Sequence, residues 1–319
     1  MNRSLVLLSG EGTTLPEAEA RALFLAYDPQ SRFESPEKRV LLVDSLADPF
    51  VVASRVAFSR RVGHLIERPL DAPKEVLGRR VRLRSFDLEN GKPGLDPGSV
   101  LKGVDATVDL KNPEFEFSLV RGEEDYLALT KPGEMRQSWS RRRPRVRAFF
   151  HPSAIFPKLA RALVNLTRFK EGEVFLDPFS GTGSLAIEAF ETGARVVASD
   201  QVAKMAMGSL ANMRHFSQEW MGVIRADAFS HPVRRVDAIA TDLPYGRASS
   251  TRGADPLDIA RMTLATMPRL LREGSRMVVM HPQTLRIDAP AEMALEEEHH
   301  LYVHKLLTRT ITILRKRQA

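Results

Sequence analysis

Cysteine is absent from the 319 residues. That excludes disulfides, a thiolate metal site and a Cys nucleophile. Long apolar runs are also missing: the stretch at 5–10 ends at Glu11, too short for a secretory h-region, and nothing approaches a membrane span. The sequence therefore predicts a cytoplasmic chain with no membrane partner. Lysine is scarce, with 11 against 36 Arg. Guanidinium pairs bidentately with phosphate, so an Arg-rich positive chain suggests a phosphate-bearing partner.

The remaining composition is that of a globular protein, with 43% hydrophobic and 27% charged residues. The length is generous for one core and comfortable for two. A formal charge of +7 divides unevenly: residues 1–140 hold 20 basic and 22 acidic groups, residues 141–319 hold 27 and 18.

Apolar periodicity predicts strands at 4–9, 39–44 and 62–68 and helices at 15–27 and 50–59. Thr13 or Thr14 before Pro16, and Asp48, mark the helix starts. This β-α-β-α-β order predicts an α+β region of ferredoxin-like type over 1–70. Residues 55–84 hold nine basic and three acidic groups, led by Arg60, Arg61, Arg79, Arg80, Arg82 and Arg84. A Gly-, Pro- and Asp-rich loop at 86–98 and strands at 107–110, 114–121 and 125–130 complete a second region, 71–135. Then comes RRRPRVR, with Arg141, Arg142, Arg143, Arg145 and Arg147, in a basic linker spanning 136–152. Such a run is either a solvated linker or a basic hinge beside an acidic ligand.

From 153 to 319 strands and helices alternate. Strands are expected at 173–177, 195–200, 222–225, 237–241 and 276–281, and helices at 152–167, 184–192, 201–216 and 256–271. Two last strands, 295–304 and 308–314, follow without a helix between them. The pattern predicts a doubly wound parallel sheet closed by an antiparallel hairpin.

Ligands of such sheets bind beyond the carboxyl ends of the strands. The first strand end reads VFLDPFSGTGSLAIEA (174–189), where Gly181 and Gly183 permit a tight turn and close backbone approach. Asp177 at the tip is free to bind a cation or a donor. Ala186 leaves a dinucleotide fingerprint formally open, and the absence of G-K-[ST] excludes a triphosphate loop. Asp200, about twenty residues on, suits ribose hydroxyls or a helix cap. Asp227 suits an adenine amine. The fourth end, DAIATDLPYGR (237–247), sets the acceptor Asp242 and outward carbonyls at Pro244 beside the ring of Tyr245. That set suits a planar base with an exocyclic amine.

DPFSGTG (177–183) resembles the cofactor loop of class I methyltransferases that use S-adenosylmethionine, and TDLPYG (241–246) resembles their [DN]-P-P-[YF] amine motif. Together with RRPRVRAFFHPSAIFPKLARALVNL (142–166) and HKLLTRTITIL (304–314), these stretches resemble the archaeal tRNA guanosine-10 N2-methyltransferases. The implied fold is a C-terminal Rossmann-like methyltransferase sheet with an antiparallel terminal hairpin, preceded by a ferredoxin-like region and a THUMP RNA-binding region.

The resemblance further implies that Asp177, Pro178, Phe179, Ser180, Gly181, Thr182 and Gly183 cradle the methionine part of the cofactor. Asp200 with Gln201 would take the ribose, and Asp227 with Ala228 the adenine. His151 and Pro152 would pack against the cofactor. Asp242 and the Pro244 carbonyl would accept from guanine N2 while Tyr245 stacks on the base. Arg60, Arg61, Arg79, Arg80, Arg82, Arg84, Arg141, Arg142, Arg143, Arg145 and Arg247 would meet tRNA. A small activator protein is a candidate partner, and a monomer is expected.

One position departs from the motif: Leu243 stands where Pro is usual. Methylation at tRNA position 6, a DNA-adenine methyltransferase, a non-catalytic tRNA-binding protein and a dehydrogenase are the competing readings. His299, His300 and His304 cluster, but no Cys or carboxylate set accompanies them, so no metal is expected.

Overall fold

The computed structural model describes residues 2–318 except 12, 67–75, 89–99, 103, 133–138, 217–221, 246–254 and 306. Contacts divide the chain into two compact units, one of residues 1–12 and 16–137, the other of 13–15 and 138–319.

The first unit opens β1 (Asn2–Leu8), α1 (Leu15–Tyr27), β2 (Arg32–Glu37), β3 (Val40–Ser45), α2 (Pro49–Arg55) and β4 (Ser59–Ile66). It continues with β5 (Arg80–Asp87), β6 (Thr107–Val108), β7 (Phe115–Arg121) and β8 (Asp125–Thr130). All eight strands form one sheet in the order β2-β3-β1-β4-β8-β7-β5-β6, so it runs on past residue 70. Apolar residues run unbroken over 5–8 of β1 and 40–43 of β3 because both faces are covered there. Val6, Leu8, Leu41 and Val43 pack with Leu23, Phe24 and Val52 of the helices, whereas Leu5, Leu7 and Leu42 meet Leu88, Val120 and Tyr126.

Strand β2 corrects the expected β-α-β-α-β order to β-α-β-β-α-β, the split unit of ferredoxin-like folds. Its sequence RFESPE carries no apolar alternation because it is an exposed edge, where Pro36 takes no donor from the ladder. Helix α2 stops at Arg55, earlier than expected, and β4 starts at Ser59; Asp48 caps the helix by accepting from the Phe50 N–H at 2.8 Å. Arg80–Asp87, read in the sequence only as charge, pairs in parallel with β7. Most of the loop expected at 86–98 lies outside the described residues.

Pairing here consumes much of the first arginine cluster. The buried carboxylate of Glu116 takes Arg61 at 2.7 Å, Arg82 at 2.6 Å and Arg84 at 3.2 Å. Arg79 and Arg80 share Glu114. Arg60, Arg79, Arg80 and Arg84 remain exposed, while Arg61 and Arg82 are half-buried.

The second unit adds α3 (Pro157–Leu166), β9 (Val174–Asp177), α4 (Ser184–Phe190), β10 (Arg195–Asp200), α5 (Ala203–Phe216), β11 (Gly222–Arg225), β12 (Val236–Asp242), α6 (Pro256–Thr266), β13 (Leu271–Pro282), β14 (Met293–His304) and β15 (Leu307–Lys316). The strand order is β11-β10-β9-β12-β13-β15-β14. Strands β9 to β13 pair in parallel, while β15 runs antiparallel to both β13 and β14. This is the doubly wound sheet with a closing hairpin that the alternation predicts, and its order reverses between β9 and β12. Leu176, Ile239, Val279 and Leu314 of four neighbouring strands share one core with Ile259 and Leu264 of α6.

The basic run is not uniformly solvated. It forms two 3-10 turns, Trp139–Arg142 and Pro144–Val146, in which burial alternates. Arg142 is buried, donating from Nε to Glu188 Oε1 at 2.7 Å and pairing with Glu191 at 3.2 Å. Arg161 of α3 reaches the other Glu188 oxygen at 2.8 Å. Arg141, Arg143 and Arg145 face solvent. Arg142 is therefore withdrawn from the set displayed to a phosphate.

Glu188→Ala strands two buried guanidinium groups, and loss of one partner from a buried pair costs about 3 kcal/mol or more. Denaturant unfolding should show a loss of that order. Arg141→Ala, on the exposed side of the same turn, should change stability by about 0.5 kcal/mol or less.

Candidate active site

A cavity of about 450 Å³ opens in the second unit beyond the carboxyl ends of β9, β10 and β12. Its lining brings together Pro152, Asp177, Phe179, Ser180, Gly181 and Thr182 with Asp200 and Gln201, and then Asp242, Pro244 and Tyr245. His151, Pro178, Gly183, Asp227 and Ala228 lie outside that lining. His151 turns Nδ1 to the Ser153 hydroxyl at 2.8 Å. Asp227 is exposed and caps a short turn, accepting from the Phe229 N–H at 3.0 Å. Arg247 lies outside the described residues.

The loop after β9 is glycine-dependent at both glycines. Gly181 and Gly183 have φ of 51° and 79°. A Cβ on Gly183 would come within 2.6 Å of Ser209 Oγ, whereas one on Gly181 would meet nothing. Gly181 therefore leaves open space for a ligand, and its N–H donates to Asp200 Oδ2 at 3.0 Å. Asp200 also accepts from the Val202 N–H at 2.8 Å, so its cap role and its place at the cavity coexist.

Three residues outside every sequence assignment hold this loop. Arg147 is buried and donates from Nη1 to Ser184 Oγ at 2.6 Å and to Thr182 Oγ1 at 3.4 Å. Burial pulls its guanidinium down to about 10, and Glu188 pulls the other way. Asn212 of α5 donates to the Thr182 and Phe149 carbonyls, both at 2.9 Å, and accepts from the Phe149 N–H. Thr241 donates to Asp177 Oδ1 at 2.9 Å, joining β12 to β9 across the reversal in strand order. Asp177 is thus not free, since the Phe179 N–H reaches the same oxygen at 3.2 Å. Thr241 and Arg147 could have been suspected from their places in the two motifs; Asn212 carries no signal in a helix of ordinary pattern.

At the fourth strand end, Asp242 is half-buried as a residue, but its Oδ1 is sealed from solvent and has no hydrogen-bond partner among the described residues. Burial lifts its carboxyl to about 7, with Arg309 drawing it down. Burial likewise lifts Asp177 to about 8, with Thr241 and Phe179 opposing and Asp200 and Asp242 adding to the rise. Tyr245 receives a hydrogen bond from Arg309 Nε at 2.7 Å. Burial, with the Asp242 charge, lifts that phenol to about 12.

The departure at Leu243 has a structural account. Its N–H donates to the Met280 carbonyl at 3.0 Å and its side chain is buried in the sheet core. A Pro there has no N–H to give. A bond to β13 and core packing stiffen the turn where a Pro-Pro pair would fix φ.

Of the hairpin histidines, His304 lines the cavity, while the other two pair within the hairpin. His299 pairs with Glu297 at 3.0 Å and His300 with Thr310 at 3.1 Å. Among the described residues no group of three His, Cys, Asp or Glu is placed to hold a metal ion.

Residues 144–311 match the family UPF0020: RMKL-like, methyltransferase domain. The chain is 32% identical to a tRNA (guanine(10)-N2)-dimethyltransferase of Methanocaldococcus jannaschii, over 89% of this chain and 82% of that protein. It is 29% identical to the protein of the same name in Methanothermobacter thermautotrophicus, over 98% and 99%. Among solved structures, TrmN from Thermus thermophilus covers 98% of this chain and 99% of its own, with a TM-score of 0.51 at 21% identity, which is a likeness of fold.

The raised acids fix the sign of two pH effects. A carboxyl whose folded pKa exceeds its unfolded value leaves stability intact below about pH 4 and loses it as pH rises toward the folded value. The Asp177→Asn protein should therefore lose less stability than wild type between pH 5 and 8 in parallel melts. An acceptor role for Asp242 would need its ionised form, and turnover would then rise with pH through about 7 and level. A flat profile from pH 5.5 to 8.5 would remove Asp242 from that role.

Proposed function

Since the chain belongs to the UPF0020, RMKL-like methyltransferase family and to the archaeal tRNA (guanine(10)-N2)-dimethyltransferases within it, we propose that it methylates N2 of guanosine 10 in tRNA, once and then a second time. It is an S-adenosylmethionine-dependent tRNA guanine-N2-methyltransferase. The observation that carries the residue roles is that Asp242, Pro244 and Tyr245 line one cavity with the Gly181 loop and Asp200.

The residues present fit the cofactor: Gly181 borders open space in the cavity, and Asp200 lines the same cavity. S-adenosylmethionine supplies a methyl group already activated on a sulfonium. The protein's work is positioning. The Asp242 carboxylate and the Pro244 carbonyl accept from the N2 hydrogens, which turns the nitrogen lone pair outward to the donor. The ring of Tyr245 stacks on the base, and the amine releases its proton after the transfer rather than before.

Leu243 was the sole sequence argument for a non-catalytic protein. Its bond to Met280 and its burial keep Asp242 and Pro244 at the strand end, so the substitution does not dismantle the acceptor pair. The first unit is read as a ferredoxin-like region, 1–70, followed by a THUMP region, 71–135, that engages tRNA. The exposed Arg60, Arg79, Arg80 and Arg84 there, and Arg141, Arg143 and Arg145 in the second unit, serve phosphates. A cytoplasmic monomer, with a small activator protein as an optional partner, completes the reading.

Incubation with tritiated S-adenosylmethionine and a tRNA transcript, followed by mapping of the label, should give N2-methylguanosine at position 10. Label at position 6 would reassign the target, and none on RNA would sink the reading. Asp242→Ala should lower transfer at least a thousandfold, with cofactor affinity by calorimetry kept within a few-fold. The triple change of Arg141, Arg143 and Arg145 to Ala should weaken tRNA binding and flatten its salt dependence, because each lost phosphate contact removes part of the counterion release.

A further inference from the structure

Arg309 lies in the stretch HKLLTRTITIL, to which the family resemblance attaches no role. It stands on β15 opposite Pro282 of β13 and lines the same cavity as Asp242. Its Nε is spent on the Tyr245 hydroxyl, and its Cζ lies 5.9 Å from the centre of that ring. The other described contact is a long one, from Nη1 to Met280 Sδ at 4.0 Å. No protein oxygen among the described residues takes the Nη donors.

Asp242 is the carboxylate on the other side of the cavity, and its Oδ1 has no donor among the described residues. The two charges act on each other, yet among the described residues they make no ion pair within 4.0 Å. The cavity is thus lined by an acceptor group and by a donor group that stand apart from one another. A ring edge with donors at one end and an acceptor at the other satisfies both. Guanine has that edge: the N2 and N1 hydrogens at one end and O6 at the other. An adenine whose N6 amine sat at Asp242 would turn its C2–H toward the far end, leaving the guanidinium unsatisfied.

The geometry points to Arg309 as the residue that reads O6 of the purine whose N2 amine is held at Asp242, with Tyr245 fixing the guanidinium in plane by its hydroxyl. This rests on the N2-guanosine reading above. A site built to hydrogen-bond a substrate group rejects an analogue lacking it far more strongly than shape alone does, because the site's own polar group is left unpaired. Arg is suited to the task, since its charged planar donors bind a carbonyl oxygen strongly and in a fixed direction.

The test compares tRNA carrying guanosine at the target with tRNA carrying 2-aminopurine riboside there, which keeps the N2 amine and lacks O6. Wild-type protein should prefer guanosine at least a hundredfold in kcat/KM. Arg309→Met should narrow that preference at least tenfold, almost wholly by slowing guanosine. Tyr245→Phe keeps the stacking ring but releases the guanidinium from its hydroxyl partner, so it should narrow the preference less than Arg309→Met does and leave the 2-aminopurine substrate nearly unchanged. Calorimetry with S-adenosylmethionine verifies that each variant is folded; if Arg309→Met is not, Arg309→Gln decides by the same ratio. An equal fall on both substrates leaves the ratio unchanged, makes Arg309 a mere support for Tyr245 and overturns the proposal. Wild-type protein that leaves guanosine unmethylated overturns the N2 reading itself and this proposal with it, a distinguishable result.

Discussion

The carboxylate of Glu188 has no contact with solvent, and the guanidinium groups of Arg142 and Arg161 close on it from two different segments. In a low-dielectric surrounding such charges can neither separate nor stand alone without large loss. The helix after the glycine loop, the helix Pro157–Leu166 and the turn Trp139–Arg142 are therefore one body. Arg147 extends it, because the same basic run delivers a second buried guanidinium to Thr182 and Ser184 on the loop itself. The loop's shape is thus fixed from behind by charge and from beside by Asn212. Its open side, at Gly181, is left to the ligand.

On the cavity side the charges are of the other sign. Asp177, Asp200 and Asp242 converge from three neighbouring strand ends, and Arg309 is the cation facing them among the described residues of the lining. Burial is what lifts two of them, Asp177 to about 8 and Asp242 to about 7, and the neighbouring acids add only to the rise at Asp177. A cavity of this kind favours a positively charged ligand over a neutral one, as a sulfonium donor requires. Tyr245 and Arg309 then close the far side with a ring and a directed donor.

Much of this was legible in the sequence. The alternation of strands and helices gave the second sheet and its hairpin, and the motif strand ends gave Asp177, Gly181, Asp200 and Asp242 their place. The edge strand Arg32–Glu37 was not legible, because a strand with no buried face carries no period-two apolar signal. The arginine runs misled for a related reason. Composition counts charges, whereas Glu116 and Glu188 decide which of them reach solvent, and both lie far along the chain from the arginines they hold. Asp227 failed to appear at the cavity because a short Asp can satisfy itself by capping its own turn. Arg309 was hidden by topology: only the antiparallel return of the last strand carries it back to the strand end at Asp242.

The inward and outward alternation of Arg141 to Arg147 has an entropic consequence. A disordered basic tail must surrender backbone freedom when it meets a polyanion, at roughly 1–2 kcal/mol for each residue fixed. Here that loss is incurred on folding, when Arg142 and Arg147 are buried. Arg141, Arg143 and Arg145 would therefore meet a phosphate with only their side chains left to order, from a backbone that also holds the glycine loop.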